Sequence, residues 1–208
     1  MEHIFLDSLY IRYPVLAHLR ENIYAAFEAL RFCCCEKKTI FLAGNGGSKA
    51  DADHFAGELL KGFRKKRPIK LDMKNKLGSY HGGSELTALL QEGISAVSLG
   101  NSVLSTAIVN DVGAETVFAQ PLYALGREGD VFVGISTSGN AKNIYNAAIT
   151  ARALEMKVIT LTGKTGGILL DISDVCINVP ETETYKIQEL HLPIYHAISA
   201  QLEEKFFD

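Results

Sequence analysis

Five short apolar runs divide the chain, and longer amphipathic stretches separate them. Short apolar runs bounded by polar or glycine-rich loops favour buried strands, whereas apolar residues that recur every three or four positions favour helices. Strands that alternate with helices build a parallel sheet with helices on both faces. We therefore predict an α/β fold, a five-stranded parallel sheet in a three-layer α/β/α sandwich. The predicted strands are 39–43, 94–99, 130–135, 158–161 and 175–179.

The helical stretches flank this sheet at both ends of the chain, and no linker or repeat interrupts them. We predict one domain, 1–208, with N-terminal helices in 1–36, the sheet core in 37–180 and a C-terminal helix in 184–206. The segment 69–92 has weak periodicity and is predicted only as an extra segment with a short helical run at 85–91. The other predicted helices are 2–12, 16–36 (after a break at Pro14), 49–65, 102–109, 115–126 and 141–154.

The bulk composition is that of a soluble protein without nucleic-acid or membrane partners. The formal net charge is −3, and no run approaches the ~18 apolar residues of a membrane span. The first residues lack the pattern of a signal peptide. We expect a cytoplasmic protein whose four cysteines are reduced thiols, and the basic run 61–70 is interpreted as a solvated helix end.

Two glycine- and serine-rich loops follow predicted strands and open predicted helices. The first is 44–48 (Gly-Asn-Gly-Gly-Ser) and the second is 136–140 (Ser-Thr-Ser-Gly-Asn). Backbone N–H groups at a helix start bind anions, and hydroxyl groups donate to phosphate oxygens. Each loop alone could be a tight turn or a helix cap. Because both fall at the carboxyl ends of strands, where ligands bind in such sheets, together they predict a phosphate site. Neither loop is a dinucleotide fingerprint or a Walker A loop.

His54 and Glu58 lie four positions apart in the helix that follows the first loop. Residues at this spacing share one helix face. A carboxylate about two turns into such a helix can take the proton beside a sugar carbonyl, and a histidine can move protons on oxygens. Without further context the same pair is also typical of an ordinary surface interaction.

The ordered set of these motifs resembles the phosphoheptose isomerase family of SIS-domain proteins. It consists of residues 43–48 (Ala-Gly-Asn-Gly-Gly-Ser), Asp51, His54, Glu58, 110–111 (Asn-Asp), 134–140 (Gly-Ile-Ser-Thr-Ser-Gly-Asn), 160–163 (Thr-Leu-Thr-Gly) and 187–191 (Ile-Gln-Glu-Leu-His). The resemblance implies the SIS fold and a homotetramer. It departs from the family's usual residues at Gly62, Ala141 and Tyr185-Lys186, and the 69–92 segment is longer than usual.

The resemblance also implies roles for individual residues. Glu58 is the expected base and His196 its acid–base partner. Zinc is the expected cofactor, surrounded by His54, Glu58, Gln188 and His196. Gln188 and His196 are eight positions apart, about 12 Å along one straight helix, so they would have to lean together or belong to different subunits. The expected substrate contacts are Asn45, Gly46, Gly47, Ser48, Asn110, Asp111, Ser136, Thr137, Ser138 and Gln188.

The function expected on this basis is an aldose–ketose isomerase for a sugar phosphate. Sedoheptulose 7-phosphate is the expected ketose and glycero-manno-heptose 7-phosphate the aldose, with an enediol between them. One alternative is an isomerase for a different phosphosugar. Another is a non-catalytic SIS-domain protein, such as a factor that associates with a replication initiator, although such relatives lack the equivalents of Glu58 and His196. His191 is expected to be a packed core or bundle histidine.

Overall fold

The sheet of the computed structural model has five strands, all parallel, in the order β2-β1-β3-β4-β5. The structure describes residues 3–207, without the side chain of Ser102. Ile40 of β1 pairs with Ala96 on one side and with Val131 on the other. The predicted five-stranded parallel sheet is confirmed. The strands are β1 (Ile40–Gly44), β2 (Ala96–Ser98), β3 (Val131–Ser136), β4 (Lys157–Thr162) and β5 (Val175–Asn178).

Helices connect all the strands. They are α1 (Ile4–Arg12), α2 (Arg20–Cys35), α3 (Gly47–Leu60), α4 (Leu71–Gly78), α5 (Gly83–Leu89), α6 (Ser102–Asp111), α7 (Ala119–Leu125), α8 (Lys142–Ala153), α9 (Leu169–Ile172) and α10 (Thr184–Phe206). Two 3-10 turns, Pro14–Leu19 and Ala114–Thr116, replace the starts of predicted helices. The extra segment forms the short helices α4 and α5, and the predicted start of the first helix at residue 2 lies outside the described residues. None of the helices within residues 3–207 is long and apolar enough to cross a bilayer.

Alternation along the strands separates two buried layers. Ile40 and Leu42 face one side of the sheet, and Phe41 and Ala43 face the other, because successive strand residues point in opposite directions. The first side packs against α1, α2, α3 and α10, and the second against α7, α8 and α9. Each fully buried Leu or Ile contributes about 1.5–3 kcal/mol. The two layers of side chains therefore hold the three-layer sandwich together.

The strand order creates a crevice between β1 and β3. After β1 the chain enters α3 on one face of the sheet, whereas after β3 it enters α8 on the other face. The two loops therefore diverge at neighbouring strand ends, which is the switch point where ligands bind in open parallel sheets. Both glycine- and serine-rich loops of the sequence lie at this point.

The basic run 61–70 lies beyond the end of α3, and within it Arg67 is buried rather than solvated, which corrects the prediction at that position. Helix α3 ends at Leu60, and Lys61 is extended. Arg67 is buried and pairs with Glu203 of α10, Nε to Oε1 at 2.9 Å, and its guanidinium also donates to the carbonyl of Leu59 at 2.9 Å. A buried charge requires such partners. Arg67 therefore turns inward and ties the end of α3 to α10, whereas most of the other basic side chains of the run remain exposed.

Candidate active site

The two loops enclose a cleft of about 330 Å³ at the crevice between β1 and β3. Its walls are residues 45–48 (Asn-Gly-Gly-Ser), 135–138 (Ile-Ser-Thr-Ser), Ala141, Thr184 and Gln188. The side chains of Asn45 and Asn143 exchange two hydrogen bonds of 2.9 Å and so join the first loop to the start of α8. The structure thus brings together seven of the predicted contacts in the loops, and Gln188 with them.

The cleft has the features of an anion site. Gly46 has a φ of 54°, which glycine tolerates and other residues rarely adopt. Among the described residues, neither Gly46 before α3 nor Ala141 before α8 makes a side-chain cap bond, although Asn143 Oδ1 accepts the N–H of Ile144 at 3.0 Å. The N–H groups at the start of α3 and those that precede Ile144 in α8, and the positive end of each helix dipole, therefore remain available to a phosphate. Ser138 Oγ accepts the N–H of Asn140 at 3.1 Å, which leaves its own proton to donate.

Gln188 closes the cleft from α10. Its Nε2 lies 3.5 Å from Ser48 Oγ, and a Cβ at Gly47 would come within 2.6 Å of the same amide nitrogen. The absence of a side chain at Gly47 therefore allows the close approach of α10.

A cluster of ionisable side chains lies farther along the seam between α3 and α10. His54 Nε2 is 3.2 Å from Glu58 Oε1, which confirms that the two residues share one helix face. Glu58 Oε2 accepts a hydrogen bond from Lys61 Nζ at 3.2 Å. His196 Nε2 lies 3.5 Å from His54 Nε2. The carboxylate and the two imidazoles thus form one connected group.

The surroundings of His196 favour its neutral form. Burial lowers the pKa of His196, and the nearby His54 lowers it further, against an opposing effect of Glu58. The ring also packs against Phe63 at a centroid distance of 5.4 Å. A neutral imidazole with one free nitrogen can accept a proton from one oxygen and return it to another.

Tyr195 lies beneath this cluster and is buried. Its hydroxyl is 3.1 Å from His54 Nδ1 and donates to Asp51 Oδ1 at 3.2 Å. Burial and the Asp51 charge raise the pKa of Tyr195, so the phenol keeps its proton. Burial raises the pKa of Asp51, and the hydrogen bond from Tyr195 opposes that rise.

Comparison with known proteins identifies the family. The SIS domain family matches residues 71–163. Phosphoheptose isomerase 2 of Campylobacter jejuni is 38% identical over 98% of this chain and 90% of its own length. The phosphoheptose isomerase of Helicobacter pylori is 36% identical, over 90% of this chain and 84% of its own. The structure of phosphoheptose isomerase GmhA from Neisseria gonorrhoeae superposes with a TM-score of 0.75 at 34% identity, covering 96% of this chain and 95% of that one.

The chain belongs to the phosphoheptose isomerase family. The resemblance inferred from the motifs is thereby confirmed, as are the SIS fold and, at the level of the family, the enzyme class of sugar-phosphate isomerases. In this family member, the cleft and the cluster both lie along the seam between α3 and α10.

In this member of the phosphoheptose isomerase family, two distances between the expected ligand atoms match the spacing of ligand atoms around a zinc ion. Ligand atoms about 2.0 Å from a tetrahedral zinc ion lie about 3.3 Å apart, close to the His54–Glu58 and His54–His196 separations of 3.2 and 3.5 Å. Across residues 3–207, however, no group of three or more His, Cys, Asp or Glu side chains is arranged as a metal site. Gln188, the remaining expected ligand, contacts Ser48 in the cleft.

Other expected residues lie at different places. Asn110 and Asp111 are exposed at the end of α6, hydrogen-bonded to each other at 2.7 Å, and do not line the cleft. Glu58 is eleven positions after the start of α3, in its last turn, rather than about two turns from the loop. His191 is buried, as predicted, and burial lowers its pKa to about 4.

Sequence reasoning missed Lys61 and Tyr195 as parts of the site. Lys61 follows Glu58 by three positions, a spacing that signals contact only while the helix continues. Tyr195 precedes His196, but the chain positions of Asp51 and Tyr195 are 144 apart, so no local pattern connects them. At Gly62, where the resemblance leads one to expect arginine, a Cβ would lie 2.1 Å from the carbonyl oxygen of Lys65, so this backbone conformation has no room for a side chain.

Proposed function

We propose that the protein isomerises sedoheptulose 7-phosphate to glycero-manno-heptose 7-phosphate, a step in the biosynthesis of heptose for surface polysaccharide. The observation that carries the proposal is the alignment of a phosphate-type cleft and an acid–base cluster along one seam. Membership of the phosphoheptose isomerase family supports the same substrate class.

The proposed reaction moves one proton between carbons and one between oxygens. The phosphate binds between the 44–48 and 136–140 loops, and Ser136, Thr137 and Ser138 donate to it. Glu58 removes a proton from C1 of the open-chain ketose, and an enediol forms. Glu58 returns that proton to C2, while His196 carries the proton of the C1 hydroxyl to the C2 oxygen. The C1 carbonyl and the C2 hydroxyl of the aldose result.

The spacing along α3 favours a long sugar. Glu58 is eleven residues from the helix start, about 16 Å along the axis, and its side chain leans back toward the cleft. With C–C bonds of about 1.5 Å, an extended seven-carbon phosphate spans roughly 10 Å and a triose phosphate about half of that. A longer chain bridges the cleft and the carboxylate better.

Zinc is part of the proposal. His54, Glu58 and His196 would hold the ion in this chain, with Gln188 as the fourth ligand predicted from the family. When bound, zinc would polarise the sugar oxygens as a Lewis acid. Metal analysis of protein purified without chelator is expected to find zinc, and a metal-free preparation with full activity would remove zinc from the proposal.

We also propose that four copies assemble. His54 has 45% of its side chain exposed, and the outer side of the seam is open beside α1. A neighbouring copy would cover the bound sugar and exclude water from the enediol. A cytoplasmic location remains a prediction.

A turnover assay on sugar phosphates of five to seven carbons tests the function. We expect the seven-carbon ketose phosphate to give the highest kcat/KM, with solvent deuterium incorporated at C1 or C2 through the enediol. Preference for a shorter sugar would keep the reaction and change the substrate. If no phosphosugar in the panel reacts, while sugar phosphates still bind, the protein is a binding protein instead.

A further inference from the structure

A hydrogen-bonded chain runs from the interior of the protein to His54. Tyr195 connects Asp51 to His54 Nδ1, with distances of 3.2 and 3.1 Å from its hydroxyl oxygen. Its ring is held in place by stacking on Phe55 at a centroid distance of 5.4 Å. The proposed proton transfers use neither Tyr195 nor Asp51, so their arrangement requires another explanation.

The chemistry of the three groups decides which of them donates each hydrogen bond. A carboxylate only accepts hydrogen bonds, and a phenol has a single proton to donate. Asp51 Oδ2 is already buried without a hydrogen-bond partner in the described structure. If Tyr195 donated to His54, Asp51 Oδ1 would lose its donor as well, and leaving a buried charged acceptor unpaired is costly. Tyr195 therefore donates to Asp51, and its oxygen accepts the N–H of His54 Nδ1.

The direction of these hydrogen bonds decides whether the His54 nitrogen that faces the site, Nε2, carries a proton. With a proton on Nδ1, the lone pair of Nε2 is available on the side of Glu58 and His196, 3.2 and 3.5 Å away. Because Glu58 Oε1 is itself an acceptor, an unprotonated Nε2 does not bond to it directly, but it can accept the N–H of His196 or bind a cation together with the carboxylate. With the proton on Nε2 alone, that N–H would donate to Glu58 Oε1 and the position would be closed to a cation.

We propose that Tyr195 and Asp51 are positioning residues that keep a proton on Nδ1 of His54 and so present Nε2 to Glu58 and His196. The catalytic meaning of this assignment rests on the proposed function, whereas the protonation of Nδ1 is a property of the free protein.

Nitrogen NMR measures that property directly. In protein with ¹⁵N-labelled histidine, stripped of metal by chelator and held at about pH 8.5, two units above the usual histidine pKa, we expect His54 Nδ1 to carry a proton. His54→Gln assigns its signals among the six histidines. Tyr195→Phe keeps the ring on Phe55 but removes the acceptor, so Nδ1 loses its proton. Asp51→Ala frees the Tyr195 hydroxyl to donate to Nδ1, with the same result.

A second tyrosine–aspartate pair supplies the control. Tyr24 donates to Asp7 Oδ1 at 2.7 Å, far along the chain from the site, so Tyr24→Phe loses a similar bond and should leave His54 unchanged. A bare Nδ1 in the wild type overturns the proposal, as does a protonated Nδ1 in Tyr195→Phe or a shift in the Tyr24→Phe control. If one site variant does not fold, the other decides.

Steady-state kinetics connect the assignment to catalysis. Outer partners of functional histidines typically change activity 10–100-fold, so Tyr195→Phe should lower kcat by about that factor with little change in KM. An unchanged kcat in a variant whose Nδ1 has lost its proton overturns the positioning role. If the wild type isomerises no phosphosugar, the proposed function fails, and the NMR result separately reports on Nδ1.

Discussion

At the scale of single residues, the site depends on what each oxygen of Glu58 contacts. Oε1 faces His54 and Oε2 faces Lys61, both at 3.2 Å, and the side chain is only 12% exposed. A carboxylate can remove a proton only while its oxygens remain acceptors, which a substitution can test.

We expect Glu58→Gln to lower kcat by roughly 10²–10⁴-fold, because the amide keeps the shape and loses the basic oxygen. Sugar-phosphate binding should be largely retained, and calorimetric titration checks it. Asp53→Asn is the control on the same helix, since Asp53 is exposed and paired with Lys49. Near-normal turnover of Glu58→Gln would show that the base is misassigned.

Two glycines of α3 give a matched test of the cleft. A Cβ at Gly47 would lie 2.6 Å from the Gln188 amide, whereas a Cβ at Gly57 would meet no atom within 4 Å. We expect Gly47→Ala to displace Gln188, raise KM and weaken competitive inhibition by inorganic phosphate. Gly57→Ala should leave phosphate binding unchanged and raise helix stability by up to about 1 kcal/mol. Equal phosphate inhibition of the two variants would contradict the assignment of the cleft.

At the scale of elements, α3 and α10 run side by side in the same direction. Gln188 contacts Ser48 near their starts, and Tyr195 contacts His54 two turns later. Beyond the end of α3, Glu203 accepts the backbone N–H groups of Phe63 and Arg64, both at 2.8 Å. The seam ends at this contact. Here the buried ion pair of Arg67 and Glu203 also connects the end of α3 to α10.

Glu203→Gln should destabilise the protein by about 3–5 kcal/mol in urea unfolding, because it leaves the buried Arg67 without its charge partner. Glu204→Gln is the control: Glu204 pairs with Lys65 at 3.0 Å on the surface, and its loss should cost at most about 1 kcal/mol. Similar losses in both variants would contradict the structural role of the buried pair.

The same pair makes stability depend on pH. Burial raises the pKa of Glu203, but hydrogen bonds from Phe63, Arg64 and Arg67 outweigh burial and hold the pKa below its ordinary value. A lowered folded-state pKa gives stability that is complete above the unfolded pKa of about 4.3 and is lost as pH falls through the folded value. The difference between wild type and Glu203→Gln should therefore shrink below about pH 4. A constant difference would exclude this linkage.

At the scale of the whole molecule, the side of the seam next to α1 carries exposed apolar residues. Ile4, Ile11 and Val15 are 45%, 81% and 48% exposed. A cleft between α1 and α10 reaches His196, although none of these three residues lines it. Exposed apolar groups near a functional site are typical of surfaces that another chain covers.

Light scattering at micromolar concentration should give a mass of four times the 22.7 kDa chain. Ile11→Asp is expected to lower that mass, because burying a charge in an apolar interface is unfavourable. A monomeric wild type would contradict assembly, and an Ile11→Asp variant that remains a tetramer would place the interface elsewhere.

Local patterns were enough to predict the sheet, its two glycine- and serine-rich loops and the shared face of His54 and Glu58. Each depends on residues close together in the chain: apolar runs for β1 and β3, glycine and serine just after them, and a spacing of four within α3. Burial of strand residues and the anion preference of helix starts are each determined by a few neighbouring residues. A local sequence pattern is therefore enough to predict them.

Other features depended on contacts between distant parts of the chain. The basic run predicts a solvent-facing Arg67, yet this residue is buried with Glu203, 136 positions away in the chain, as its charge partner. Tyr195 joins the site because α10 packs beside α3, which brings it to His54 and Asp51. Burial, ion pairing and the direction of a hydrogen bond are properties of packed surfaces, and the packing of α10 on α3 is established only when the whole sheet is assembled.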